Sequence, residues 1–436
     1  MKVIFLAGGI SQRMWPVSQD KNLVEFLGKT LIYHTLETVK KAGVSEIVIV
    51  GNKNNFASLK KIGKDLGLKT QVVIQGKNLP GQGGAILSAK KYLKGPVLIC
   101  NANDIFDVSL YKDIFKRIKN SKFDIQLIGY KVKDYFPGGY LKVKNGQVLA
   151  IVEKPKPNKI PSNLVRIVVD FFAKSEELVK VLESLKTDPD KWNEKAIDKM
   201  IKTGKRVSYL PYSRTWKFLK YPWHILDLTE YFLDKVAKRK ISKSAKIAKT
   251  AVVDGEVIIS DNVRVLEGAV IRGPAYIGKG AIIGNNALVR QSIVGEDTVV
   301  GFSSEVTRSY VGKNCWFHTN YIGDSVISDN VSFGSGAITA NLRLDEEEIY
   351  SKIEESKINT QRNKLGAIIG EGSRIGVNAM IMPGIKIGKN SFVGPGVVLG
   401  KDLEDGSFCQ LLQEYQITKN RVDITVKTRE KFRKKL

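Results

Sequence analysis

The chain has 436 residues, with 70 Lys and Arg against 44 Asp and Glu and a formal net charge of +26. Its length predicts two or three domains, and a composition 43% hydrophobic and 26% charged excludes a disordered or fibrous protein. Cys100, Cys315 and Cys409 stand far apart with no C-x-x-C spacing, which excludes a zinc ribbon and points to a reducing cytoplasm. No apolar run approaches the roughly 18–20 residues of a membrane span. Met1 leads directly into the strand-like KVIFLAGG, so no signal peptide is expected. Lysines are scattered along the whole length without a recognition helix or an RNP-type aromatic motif, which argues against nucleic acid as a partner. Their one local concentration is the tail 415–436, with eight Lys and Arg against two acids.

Residues 1–228 alternate short β-branched runs with amphipathic stretches. The runs are KVIFLA (2–7), EIVIV (46–50), TQVVIQ (70–75), PVLIC (96–100) and DIQLIGYKV (124–132). LIYHTLETVKKAG and GGAILSAKKYL fall between them. That pattern predicts an α/β, Rossmann-like domain whose mostly parallel sheet is covered on both faces. Ligands bind beyond the carboxyl ends of such strands, which directs attention to the loops after Ala7, Gln75 and Cys100. Residues 229–250 read as a helix followed by a basic linker. From 251 to 405 the pattern changes: Val253, Ile259, Val265, Ile271, Ile277, Ile283 and Val289 recur every six residues, as do Ile369, Ile375, Ile381, Ile387, Val393 and Leu399. Neither a helix nor an alternating strand has that period; a parallel β-helix of hexapeptide repeats does, one aliphatic residue per short strand pointing inward. The polar stretch 341–366 interrupts the repeats as an inserted loop, and residues 406–436 form a basic tail.

In the first loop, Gly8 and Gly9 let the backbone approach a phosphate or a base, and Arg13 and Lys21 bring positive charge. The loop lacks the third glycine of a dinucleotide fingerprint and the G-K-[ST] of a Walker loop. With its neighbours it resembles the sugar-1-phosphate nucleotidylyltransferase family. Gly8, Gly9, Arg13, Met14, Pro16 and Lys21 fall on that family's first motif, and Gln75 and Gly81 on its base-reading segment. Asp104 falls on its magnesium-binding position, and Gly139, Glu153 and Lys154 on its sugar- and phosphate-binding positions. The resemblance implies that a nucleoside triphosphate and a sugar-1-phosphate become a nucleotide sugar and pyrophosphate. Arg13 would hold the pyrophosphate, Lys21 the α-phosphate, Lys154 the sugar phosphate and Asp104 a Mg²⁺ ion. The chain departs from the pattern at Ser11-Gln12 and Gln82. It departs again in the stretch holding Trp216, Tyr221, Pro222 and Trp223, where Phe218 replaces a second metal-binding Asp and Lys220 a Gly. His34 and His224 read as packed helix residues.

The second domain carries CWFHTNYIGDS and GAITANLRLD. His318, Tyr321 and Asn341 there closely resemble the acetyltransferase half of archaeal-type bifunctional enzymes of UDP-N-acetylglucosamine synthesis. By that resemblance His318 is the general base that frees a substrate amine to attack the thioester of acetyl-CoA. Asn341 and Tyr321 then hold the sugar or the developing oxyanion. An imidazole with a pKa of about 6.5 suits that step. The resemblance also implies a left-handed coil and a homotrimer with acyl sites between subunits, the basic tail lying where CoA phosphates could dock. Glu346, Glu347, Glu348 and Tyr350 stand where the family tends to carry lysines. Two other readings stay open: a nucleotidylyltransferase for another hexose-1-phosphate on a structural coil, since RMWPVS is similar to mannose-1-phosphate guanylyltransferases, and a non-catalytic nucleotide-sugar sensor, which Phe218 favours.

Overall fold

Val3 and Phe5 point to one side of the first strand and Ile4 and Leu6 to the other, and all four are buried. A strand apolar on both faces must lie inside a sheet covered on both sides. The computed structural model describes residues 1–119, 122–185, 188–422, 429–430 and 433–435. In it, Lys2–Leu6 lies third in a nine-stranded sheet. The strands Lys69–Ile74, Glu46–Gly51, Lys2–Leu6 and Val97–Asn101 pair in parallel. Leu164–Phe172, which the sequence reading did not single out, then runs antiparallel between Val97–Asn101 and Ile125–Lys131. Val207–Tyr212 is parallel to Ile125–Lys131, and the hairpin Gly139–Lys144 with Gln147–Glu153 closes the sheet. Helices Leu31–Lys41, Phe56–Asp65 and Val108–Lys119 cover one face, and Gly81–Ser88, Ser175–Glu183 and Trp192–Lys202 the other.

The helix expected after residue 228 spans His224–Leu233, and the coil begins soon after it. Lys240 and Ile241 already pair with Ile258 and Ile259, so the first rung lies inside the stretch read as linker. Among the described residues the coil has three parallel sheets of eight, nine and eight strands. Its interior is the stack of hexad aliphatics, from Ile259 through Val289 and Ile369 through Leu399. Regular coils take 18 residues, as from Val253 to Ile271. In the middle they shorten to 16, as from Phe317 to Phe333, whose rings meet edge-on at 5.4 Å. The shortened corners are closed by a serine ladder: Ser292, Ser309 and Ser325 each accept the N–H of the residue one coil further on. Buried backbone donors thus stay satisfied while the six-residue period slips.

The polar insertion leaves the coil after Ile338–Thr339 and folds as an antiparallel hairpin, Tyr350–Ile353 with Ser356–Asn359. Strand pairing resumes across the gap, Val326 against Ile368. The first coil face is apolar outward as well as inward. Tyr276, Ile293, Tyr310, Val326 and Ile368 are buried against Phe26, Leu226 and Phe232 of the first domain. Ion pairs Lys313–Glu25 (2.9 Å) and Arg362–Asp227 flank this seam.

Candidate active sites

Beyond the carboxyl ends of the parallel strands lies a cleft of about 420 Å³. Gly8, Gly9, Arg13, Lys21, Gln75, Gly81, Asp104, Gly139, Glu153 and Lys154 all line it. Three of the glycines have steric reasons. A Cβ on Gly8 would fall 2.0 Å from the Gln75 side-chain oxygen, and one on Gly139 3.1 Å from a Glu153 carboxylate oxygen. Gly81 has φ +70° and would collide with the Pro189 carbonyl. A Cβ on Gly9 would meet nothing within 4 Å, so that backbone faces open cleft. Gln75 donates to the carbonyls of Leu79 (2.6 Å) and Gly81 (3.1 Å), stapling its loop to the start of the next helix.

Asp104 opens the short strand Asp104–Phe106 and is 4% exposed. Burial raises its pKa to about 6, restrained by a hydrogen bond from Asn101 and by the charges of Lys21 and Lys220. Phe218 lies directly opposite it on the strand Trp216–Phe218, its ring edge-on to Phe136 (5.5 Å) and His224 (4.9 Å). The position facing the carboxylate is therefore aromatic and offers no ligand. Lys220 donates to the Pro137 carbonyl (2.9 Å), and its ammonium stands 5.2 Å from the Phe136 ring centre. Burial, then Arg13 and Lys154, lower its pKa to about 8. Lys21 is lowered too, by burial. Arg13, Lys21, Lys154 and Lys220 thus line the cleft around Asp104, a placement suited to phosphate-bearing ligands.

Sequence reasoning missed the cleft floor. Arg166 bonds Asp170 at 3.1 Å and Glu194 at 2.7 Å, all three buried, and Glu194 helps raise Glu153 to about 7 after the effect of burial. The available signal was LVRIVVDFF itself, two charges four apart in an otherwise apolar run. His34 and His224 are packed: His34 bonds the Phe26 carbonyl at 2.9 Å, and His224 accepts from the Lys220 amide at 3.3 Å.

In the coil, Asn341 donates to the Tyr321 hydroxyl at 3.2 Å and to Asp324. Asp324, 3% exposed, is held in a two-pronged ion pair with Arg308, both contacts 2.7 Å. Tyr321 and Asn341 therefore share one network, with Arg308 and Asp324 as positioning residues that the sequence reading left unassigned. His318 is exposed at the preceding corner, fixed through its backbone: its amide donates to Asn320, which is locked onto the carbonyls of Gly334 and Ala337. Glu346 and Glu347 are exposed, and Glu348 accepts from Asn359. The tail's basic residues lie partly outside the described residues, including Lys427 and Lys431.

A nucleotide-sized cleft on an α/β domain, docked against a hexapeptide coil, defines a two-domain transferase. The first domain matches the family model "Nucleotidyl transferase" over residues 2–217. The coil matches "GMPPB C-terminal domain" over 236–358 and "Bacterial transferase hexapeptide (six repeats)" over 366–401. The "Bifunctional protein GlmU" of Methanococcus maripaludis (strain S2) is 33% identical over 97% of this chain and 100% of its own. The "Bifunctional sugar-1-phosphate nucleotidylyltransferase/acetyltransferase" of Sulfurisphaera tokodaii is 31% identical over 87% and 92%. The chain belongs to this family of bifunctional sugar-1-phosphate nucleotidylyltransferase/acetyltransferases. Among the described residues no helix is long and apolar enough to cross a membrane.

Proposed function

We propose that the first domain transfers a uridylyl group from UTP to N-acetylglucosamine-1-phosphate, and that the coil acetylates glucosamine-1-phosphate with acetyl-CoA. The observation that carries the first half is the convergence of Arg13, Lys21, Lys154 and Lys220 on a cleft around Asp104. The sugar phosphate's oxygen attacks the α-phosphorus, and pyrophosphate leaves. Such a transfer asks the protein to align two anions and neutralise their charge. In this reading Arg13 holds the departing pyrophosphate, Lys21 the α-phosphate and Lys154 the sugar phosphate. Gln75 and Gly81 shape the base side; Glu153, beside Gly139, receives the sugar.

Among the described residues no cluster of three His, Cys, Asp or Glu could cage a metal. Asp104 is one buried carboxylate opening onto a phosphate-sized space, which fits a Mg²⁺ shared with substrate phosphates and ringed by water. Bound there, the ion would neutralise triphosphate charge. Lys220 adds a fixed cation on the side where Phe218 offers no ligand.

For acetyl transfer, His318 takes the amine proton while Tyr321 and Asn341 hold the sugar or the oxyanion. Their shared network supports this half. The acidic run 345–348 beside Asn341 favours a second reading, in which the coil is a scaffold, because Glu346, Glu347 and Glu348 repel the phosphates of CoA while Asp345 is paired with Arg343. A homotrimer through the coil and a cytoplasmic location complete the proposal; three unpaired cysteines agree with the latter.

The test is pyrophosphate release with Mg²⁺ across nucleoside triphosphates and hexose-1-phosphates, with thiol release from acetyl-CoA run in parallel. UTP with N-acetylglucosamine-1-phosphate is expected to react, and Asp104→Ala to abolish that signal; His318→Ala is expected to abolish thiol release alone. A silent matrix from folded protein would overturn the nucleotidylyl half. Thiol release indifferent to His318→Ala would overturn the acetyl mechanism.

A further inference from the structure

The hairpin extruded from the coil ends at the mouth of the other domain's cleft. Its two-residue tip, between Ile353 and Ser356, is Glu354-Glu355, and Glu354 lines the cleft with Arg13, Lys154 and Lys220. The hairpin base is clamped. Ile349 and Ile353 are buried in the seam with Met14 and Trp223. Lys386, 2% exposed, donates to the Lys352 carbonyl, lies 3.2 Å from Asp402 and stands 4.8 Å from the ring centre of Trp15, in the first loop. Arg362 pairs with Asp227. A tip so anchored is delivered to one place.

Its chemistry is selective. Glu354 adopts φ +53°, a left-handed conformation that glycine or asparagine takes more easily. Beside the tip, Tyr221 stacks on Trp223 at 4.7 Å and packs against the seam that buries Ile353, and its phenol is raised chiefly by burial. A carboxylate at the mouth of a phosphate cleft repels phosphate; as an acceptor-only group it pairs with hydroxyl donors. Two ligands bring hydroxyl donors, the ribose of the nucleotide and the ring of the hexose, and Glu354 shares its stretch of lining with Gly139, Glu153 and Lys154, the side read as taking the hexose phosphate.

We propose that Glu354 completes the sugar side of the nucleotidyl-transfer cleft from the second domain, accepting a hydrogen bond from a hydroxyl of the bound hexose phosphate. This rests on the reading that the cleft takes a sugar-1-phosphate. It makes the coil part of the first active site: specificity for the sugar is shared between domains.

The test uses the full chain. Steady-state kinetics and calorimetric binding of N-acetylglucosamine-1-phosphate are measured for wild type, Glu354→Ala and Glu354→Gln. The control is Glu355→Ala, whose side chain is 97% exposed. Losing a hydrogen bond to a charged acceptor should raise the sugar-phosphate KM and Kd about tenfold in Glu354→Ala, less in Glu354→Gln, with kcat and the UTP KM unchanged. Glu355→Ala should match wild type. A wild type that turns over while Glu354→Ala keeps its sugar-phosphate KM overturns the inference alone. So does a loss confined to the UTP KM. A wild type that neither turns over nor binds sugar phosphate overturns the functional reading, and the inference with it.

Discussion

Glu153 shows how burying a single carboxyl sets stability against pH. Its side chain is 12% exposed, 3.9 Å from Lys154, and burial and then Glu194 raise its pKa from 4.5 to about 7. A carboxyl whose folded pKa lies above its unfolded value keeps its proton in the fold, so the folded state binds more protons between these limits. Stability is therefore lost as pH rises from about 4.5 to 7 and stays lower above. Gln at this position removes the titration while keeping the size. Glu153→Gln should be more stable than wild type at pH 8 by about 3 kcal/mol, and the two should converge at and below pH 4.5. Thermal unfolding of both proteins across that range checks it, and parallel curves would refute it. The same variant should weaken sugar-phosphate binding. Glu153 was legible in IVEKP because its motif is local; the groups that tune it, Glu194 and Arg166, were not, since the fold alone brings them within reach.

At the scale of an element, the coil's corners decide which glycines are replaceable. Left-handed Gly268, Gly336 and Gly372, at φ +71° to +76°, lie under left-handed Asn286, Asn378 and Asn390 of the next coil. In each case the asparagine side-chain oxygen fills the place of the missing Cβ, 2.0–2.2 Å from where it would stand. Gly372→Ala must therefore bear both an unfavourable φ and a clash with Asn390, costing about 2 kcal/mol or more. Adding Asn390→Gly removes the clash but not the φ cost, so the double variant should regain part of the loss; strict additivity in denaturant unfolding would refute the stacking account. These corners also show what the sequence disclosed. Six-residue spacing is legible wherever a coil takes 18 residues, because each strand writes one inward aliphatic. It fades between Val294 and Thr339, where serine ladders shorten the coils and a buried threonine replaces the aliphatic. The hairpin over residues 350–359 reads only as a polar insertion, because Ile353, and Ile349 just before it, serve a seam whose first-domain members, Met14 and Trp223 among them, are more than 100 positions away.

Across the whole molecule, the three coil faces have different fates. The first is covered by the nucleotidyltransferase domain, which Trp15 also ties to the last coil by a 2.9 Å hydrogen bond to Asp405. The other two expose large apolar side chains: Trp316, Phe392 and Phe408 on the second, Met380 and Val398 on the third. Residues of this size in rows, outward on a rigid surface, call for a partner. With one face of a triangular section blocked, the two free faces can be satisfied together if the second face of one chain packs on the third face of the next. That contact is heterologous, and a ring of three closes it without leaving an apolar face in water. Light scattering should then give about three times the 48.5 kDa of one chain. Trp316→Lys with Phe392→Lys, both outward and outside the interior stack, should yield a monomer that keeps its secondary structure and its pyrophosphate release. Thiol release from acetyl-CoA should fall with the trimer, because His318 follows the strand Trp316–Phe317 of the second face while Tyr321, to which Asn341 is hydrogen-bonded, lies on the third. A double variant that stays trimeric, or a monomer with undiminished thiol release, would separate assembly from acetyl transfer and leave the acyl site complete within one chain.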